Sequence, residues 1–255
     1  MTLSLFDLKG HTALVTGSSR GLGRAIADGL AKAGARLIIN GTDPARVEAA
    51  VGEMRAAGFA TEGAAFDVTD EAAIVGAFEG FDKAGIEIDV LVNNAGIQMR
   101  KPLVEFSSAD WRKVVETNLT SAFVIGREAA KRMIPRKCGK IINIASLASE
   151  LARPTIAPYT AAKAGIKNLT KSMAVEWAAS GIQANAIGPG YMLTDMNQAL
   201  VDNADFNAWL MSRIPSKRWG RPDELVGAAI FLASTASDYV NGQTIYVDGG
   251  MLAAM

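Results

Sequence analysis

The chain reads as an α/β protein: one domain over residues 1–255, a doubly wound parallel sheet of about seven strands with helices on both faces. Three observations predict this. Short β-branched runs alternate with longer amphipathic stretches along the sequence. Those runs carry few alternating polar positions, so both faces of the sheet should be covered. No linker, repeat or low-complexity segment interrupts the series.

The elements follow in order. Thr12–Thr16 is a buried strand, and the helix after it runs from Gly21 to Ala33, where Gly34 ends it. Arg36–Asn40 is the second strand. Asp43 before Pro44 suits an N-cap and first turn, and that helix runs to Gly58. Ala60–Phe66, Asp70–Ala84 and Asp89–Val92 give strand, helix, strand. A long helix is expected from Ser108 to Met133, then a strand over Lys140–Ile144 and a helix over Tyr159–Ala179. Gln183–Ile187 is the sixth strand, Glu224–Ala233 a helix and Thr244–Val247 the last strand. Residues 190–222 are the least regular stretch, and their Met and Trp content suits a lid over a site.

Composition removes several classes of function. The 26 Lys+Arg balance 26 Asp+Glu, so no basic field for nucleic acid is present. Hydrophobic residues at 49% place the chain among globular proteins rather than disordered ones. One cysteine, Cys138, allows neither an intrachain disulfide nor a multi-cysteine zinc site, and one histidine, His11, excludes a His-rich metal site. No metal ligand set is assigned. The first ten residues lack the basic and long apolar regions of a signal peptide, and no apolar run is long enough to span a membrane. A cytoplasmic protein without nucleic-acid or membrane partners is expected.

The first strand-to-helix turn, Thr16 to Gly23, has the spacing G-x-x-x-G-x-G. Glycines there let backbone N–H groups approach a pyrophosphate, and the helix N-terminus adds a favourable dipole. By spacing alone it is equally a glycine-rich turn. The second strand ends Asn40-Gly41-Thr42 without a carboxylate to bond a ribose diol. Arg20 in the loop, with Asn40 and Thr42 as donors, favours NADP, with NAD as second choice; Asp43 is the competing candidate.

Tyr159 and Lys163 lie four residues apart, on one helix face. A cation beside a phenol favours the phenolate, so Lys163 is expected to lower the Tyr159 pKa toward a range useful for proton transfer. Ser146 follows the fifth strand, at the carboxyl edge where doubly wound folds bind ligands.

Together, Thr16–Gly23, Asp67-Val68, Asn93–Gly96, Asn118, Ser146, Tyr159, Lys163 and Pro189-Gly190 resemble the ordered motifs of the short-chain dehydrogenase/reductase family, across essentially the whole chain. The resemblance implies a Rossmann-type fold and the following roles. Tyr159 is the general acid/base, Lys163 tunes it and holds the nicotinamide ribose, and Ser146 bonds the substrate oxygen. Asn118 supports a water-mediated proton relay. Gly17, Ser19, Arg20, Gly21, Leu22 and Gly23 hold the pyrophosphate side; Asn93, Asn94, Ala95 and Gly96 line the adenosine ribose; Asp67 and Val68 flank the adenine; Pro189, Gly190 and Thr194 meet the nicotinamide and its phosphate. The family also implies a homotetramer, with the apolar tail Met251–Met255 at a subunit interface.

The segments Asn93–Arg100, Gly188–Tyr191, Ala208–Leu210, Arg218–Gly220 and Val247–Leu252 resemble members of the family that act on a sugar acid. A carboxylate with many hydroxyls needs a cation and several polar groups. Arg100 is the first candidate for that carboxylate and Arg153 the second. Glu150 is placed as a hydroxyl acceptor, and Tyr191 and Gln98 as further contacts. Trp209 and Trp219 are candidates for closing the lid or for packing. A reductase of 3-oxoacyl or other carbonyls, and a nucleotide-sensing protein without turnover, are the competing readings. The presence of Ser146, Tyr159 and Lys163 together argues against the sensor.

Overall fold

The computed structural model describes residues 4–254. Seven strands form one parallel sheet: β1 (Thr12–Val15), β2 (Arg36–Gly41), β3 (Thr61–Ala65), β4 (Val90–Asn93), β5 (Gly139–Ile144), β6 (Ile182–Pro189) and β7 (Thr244–Val247). Their order is β3-β2-β1-β4-β5-β6-β7. The chain moves outward from β1 to β3, then restarts on the other side of β1 with β4. The switch point therefore lies between β1 and β4, and a ligand crevice opens outside their carboxyl ends.

Helices cover both faces: α1 (Gly21–Lys32), α2 (Pro44–Ala56), α3 (Glu71–Lys83), α4 (Ser108–Val115), α5 (Ser121–Arg136), α6 (Ala157–Trp177), α7 (Gln198–Val201), α8 (Ala204–Arg213) and α9 (Val226–Ala233). Side chains alternate across the sheet, so each central strand feeds two cores. Ala13, Val15, Leu37, Ile39, Val90, Val92, Ile142 and Ile144 pack with α1, α2 and α9. Leu14, Ile38, Leu91 and Ile141 pack with α3, α5 and α6. Every residue of β1 and β4 is buried, including the polar Thr12 and Asn93 at their ends. The outer strands differ. β3 alternates in burial and β7 is half-buried throughout, because each has only one neighbouring strand.

Asp43 caps α2: its Oδ1 accepts from the Ala45 and Arg46 N–H groups at 3.0 and 3.4 Å. Placement of Pro44 after the cap follows the sequence rule. The long helix expected over residues 108–133 is present and runs on to Arg136, but one turn inside it is wound differently. A π turn at Glu116–Thr120 separates α4 from α5. Three polar side chains favour it by bonding back to carbonyls four residues earlier. Thr117 Oγ1 donates to Lys113 O at 2.8 Å, Asn118 Nδ2 to Val114 O at 2.8 Å and Ser121 Oγ to Thr117 O at 2.7 Å.

The start of the apolar tail is fixed by a local turn. Gly250 and Leu252 donate backbone N–H groups to the Asp248 carboxylate at 2.9 and 2.8 Å, and Met251 and Ala254 border the cleft described below. Met255 lies outside the described residues, as do Met1, Thr2 and Leu3 of the segment read for a signal peptide.

Candidate active site

One cleft of about 1480 Å³ runs along the carboxyl edge of the sheet. It is lined by Gly17, Ser19–Gly23, Thr42, Asp67, Val68, Asn94–Gly96, Arg100, Asn118, Ser146, Arg153, Tyr159, Lys163, Pro189–Tyr191 and Thr194. With Asn40 and Gln98, which also line it, that covers the expected catalytic positions, the expected cofactor positions except Asn93 and the expected substrate positions except Glu150.

At one end lies the glycine turn. Gly17 and Gly21 adopt φ of +60° and +62°, a region that costs other residues. A Cβ on Gly21 would meet nothing within 4 Å, so backbone faces open space at the start of α1. That helix has no side-chain cap and no acidic residue in its first turn, which leaves its N–H groups for an anion. Gly23 is glycine for a different reason. A Cβ there would sit 2.4 Å from Asn94 Nδ2 and 2.5 Å from Gly17 O.

Two residues expected to touch a cofactor line the cleft and also shape the turn. Asn94 Nδ2 donates to Thr16 O at 2.8 Å and Gly17 O at 3.1 Å. Asn40 is buried, accepts from Gly17 N at 3.1 Å and donates to Ala64 O and Phe66 O at 3.0 and 3.2 Å. Both of its amide hydrogens are thus used, and its Oδ1 keeps one lone pair. Asn93 lies inside the core, its amide donating to Asn143 Oδ1 at 2.9 Å and Ala122 O at 3.3 Å while its Oδ1 is left without a partner. Asp67 accepts from the Thr69 N–H and hydroxyl, each at 2.8 Å, in a turn beside the cleft.

Beyond β2 the cleft wall carries Thr42, Asp43 and Arg46. Asp43 is committed to its cap and to Arg46 Nε at 3.2 Å, so no free carboxylate awaits a ribose diol. Arg46 is a cation the sequence reading missed; its signal was its place on the first turn of the helix after β2. Arg20 stands at the rim, 3.5 Å from Asp195 across the cleft.

At the other end stand Ser146, Tyr159 and Lys163. β5 delivers Ser146 at its carboxyl end, where its Oγ accepts from Ala148 N at 3.1 Å. α6 carries Tyr159 and Lys163 on one face, with Nζ 5.6 Å from the phenol ring centroid. The expected lowering of the Tyr159 pKa by Lys163 is not what the site does. Burial pushes the phenol up, while a Ser146 hydrogen bond and the Arg100 charge oppose it. The reason is positional. Lys163 Nζ lies over the ring rather than at the hydroxyl and donates to Ile144 O at 2.6 Å. Burial also lowers its own pKa to about 8. The Arg100 charge is the one that opposes the rise of the phenol's pKa.

Asn118, held by Ile97 O at 2.9 Å and Val114 O, keeps Oδ1 buried and without a partner beside the cleft. The π turn is what leaves that acceptor free while its amide is tied down.

Arg100 donates to Gln98 Oε1 at 2.9 Å and has a buried Nε without a partner. Burial and the nearby Arg153 charge weaken its hold on its proton. Arg153 stacks 5.1 Å over Phe206, within an aromatic group that includes Tyr191 and Trp219. Two guanidiniums thus converge beside Tyr159 and Tyr191. Glu150 does not join them. It is outside the cleft, ion-paired with Lys167 and accepting from the Tyr246 hydroxyl at 2.6 Å. Trp209 lines the cleft, whereas Trp219 lies behind it and donates to Asn207 Oδ1 at 2.6 Å. His11 is remote, 4.0 Å from Asp89 near the start of β1. Among the described residues no group of three or more His, Cys, Asp or Glu is placed to hold a metal.

A dinucleotide-sized cleft at the switch point, an uncapped glycine-turn helix and a Ser-Tyr-Lys set define a nucleotide-linked oxidoreductase of the short-chain type. The family model described as Enoyl-(Acyl carrier protein) reductase matches residues 17–252, and the chain belongs to the short-chain dehydrogenase/reductase family. It is 48% identical to gluconate 5-dehydrogenase of Gluconobacter oxydans, over 98% of each chain. It is 48% identical to 5-keto-D-gluconate 5-reductase of Escherichia coli, over 98% of this chain and 99% of that one. A crystal structure of a gluconate 5-dehydrogenase from Burkholderia cenocepacia, in complex with NADP and tartrate, is 50% identical over the full length of both, with a TM-score of 0.98.

Proposed function

We propose that this protein interconverts D-gluconate and 5-keto-D-gluconate with NADP(H). The observation that carries the substrate class is the pair Arg100 and Arg153 beside the acid/base group: two cations in one enclosed site are relieved by a carboxylate. The relatives' names supply the particular sugar acid. NADP fits the residues present. The open glycine turn at the start of α1 suits a pyrophosphate, and Arg20 and Arg46, with no free carboxylate beside them, suit a 2′-phosphate.

The nicotinamide, when bound, supplies or accepts the hydride. The chain does the rest. Ser146 bonds the substrate oxygen and Tyr159 gives that oxygen a proton in reduction or takes it in oxidation. Burial keeps the phenol protonated and thus ready as an acid, and Arg100 limits how far that shift goes. Asn118 Oδ1, buried and unpartnered, suits a water that passes protons toward Lys163. Residues 190–222 form a lid whose Tyr191, Met192, Thr194 and Trp209 close the cleft. The protein acts in the cytoplasm as a homotetramer without a nucleic-acid partner. Exposed Val104, Val175 and Tyr239 favour association, and no helix of the described residues is long and apolar enough to cross a membrane.

The test is NADPH oxidation followed by absorbance with 5-keto-D-gluconate and, separately, an acetoacetyl thioester. Turnover of the keto acid alone supports the reading. Turnover of the thioester alone selects the 3-oxoacyl reductase, and cofactor binding without turnover selects the sensor.

A further inference from the structure

Residues 190–222 are attached along their length by unequal means. Their ends are tied by backbone bonds, Gly190 N to Val247 O at 2.9 Å and Ser216 N to Gly249 O at 3.2 Å. The carboxyl half of α8 is anchored by buried Leu210, with Ile214 just beyond it. The amino half of α8 has no such anchor. There Phe206 is half-buried and packs on Tyr191 at 5.7 Å, Trp209 at 5.3 Å and Trp219 at 6.4 Å, all from the same segment. The side chain that reaches this group from the fixed wall is Arg153, 5.1 Å above the Phe206 ring and adjacent to the Tyr191 hydroxyl. It stands on the loop that leaves β5 and carries Ser146.

Building on the sugar-acid reading, we propose that Arg153 is a positioning residue. Its guanidinium face docks the amino half of α8 while its edge faces the substrate, so one side chain sets lid position and carboxylate recognition together. A planar guanidinium can stack and donate at once, which an ammonium cannot. The Arg100 charge close by repels Arg153, which favours the stack.

The test is limited proteolysis of the free protein, with cleavage mapped within 190–222, for wild type, Arg153→Lys, Phe206→Leu, the double variant and Phe206→Tyr. Arg153→Lys keeps the charge and loses the stack. A cation–π contact of this class predicts about 2- to 30-fold faster cleavage in Phe206→Leu, and a smaller rise in Arg153→Lys, whose ammonium keeps part of the attraction without the planar stack. The double variant should be no faster than the faster single one, and Phe206→Tyr should match wild type. With 5-keto-D-gluconate, kcat should fall along with a rise in KM for Arg153→Lys. Unchanged cleavage with a raised KM alone overturns the proposal and leaves Arg153 a carboxylate contact; additive effects in the double variant overturn it too. If wild type fails to turn over the keto acid, the substrate reading falls, while the proteolysis still decides the role of Arg153.

Discussion

The amide of Asn94 is the brace on which the glycine turn depends, and Asn94→Ala tests it. Its Nδ2 spans the Thr16 and Gly17 carbonyls at 2.8 and 3.1 Å, the two residues that lead from β1 into the turn. Each bond contributes roughly 0.5–1.5 kcal/mol net, so removing both costs roughly 1–3 kcal/mol. With an unfolding entropy of about 2.1 cal/mol/K per residue over 255 residues, that cost lowers Tm by roughly 2–6 °C. If the loosened turn must be reordered on binding, the same free energy appears as a rise in the Kd for NADPH of roughly 5- to 150-fold. Differential scanning fluorimetry gives the first number and titration of NADPH fluorescence the second. A lower Tm with unchanged Kd would show that Asn94 supports the fold without shaping the cofactor site. An unchanged Tm would refute the hydrogen-bond account itself.

Tyr159→Phe should remove turnover while NADPH affinity stays within a few-fold, because the hydroxyl is the proton donor; retained turnover would dismiss Tyr159 from acid/base work. Glu150→Gln should leave KM for the keto acid within about twofold, since Glu150 is held by Lys167 and Tyr246 away from the cleft, whereas a large rise would return it to the substrate. Gly23→Ala should destabilise by about 1–3 kcal/mol through its contacts with Asn94 and Gly17, measurable as a lower urea midpoint at constant m. Lys163 has a pKa of about 8 when folded against 10.5 when free. Between those values the unfolded chain holds the extra proton, so the cost of burying the charge, about 3 kcal/mol in full below pH 8, disappears as pH rises toward 10.5. Urea midpoints of wild type and Lys163→Met should therefore converge in favour of wild type across that range; a constant gap would contradict the burial.

The strands and the sheet edge were legible because unbroken apolar runs such as Thr12–Val15 leave no polar face to expose, and a parallel sheet puts every βα turn on one side. Chemistry carried by residue type at fixed helical spacing was legible too: Tyr159 and Lys163 share a face because four residues make about one turn. What stayed hidden was the direction in which polar atoms point. Asn40, Asn94 and Glu150 are hydrogen-bonding residues near a ligand cleft, and sequence cannot tell a group that faces the ligand from one used by its neighbours. Electrostatics were hidden for the same reason. Lys163 is four residues from Tyr159, yet the charge that opposes the rise of the phenol's pKa is that of Arg100, fifty-nine residues earlier, because β4 and β5 pair in register and bring the two loops together. The π turn shows how far local pattern falls short. Glu116–Thr120 continues a helical sequence without a proline or glycine, so periodicity reads straight through it. The departure is decided by Thr117, Asn118 and Ser121 bonding back to the helix, and it is this departure that fixes the Asn118 amide and leaves its Oδ1 a free acceptor beside the cleft.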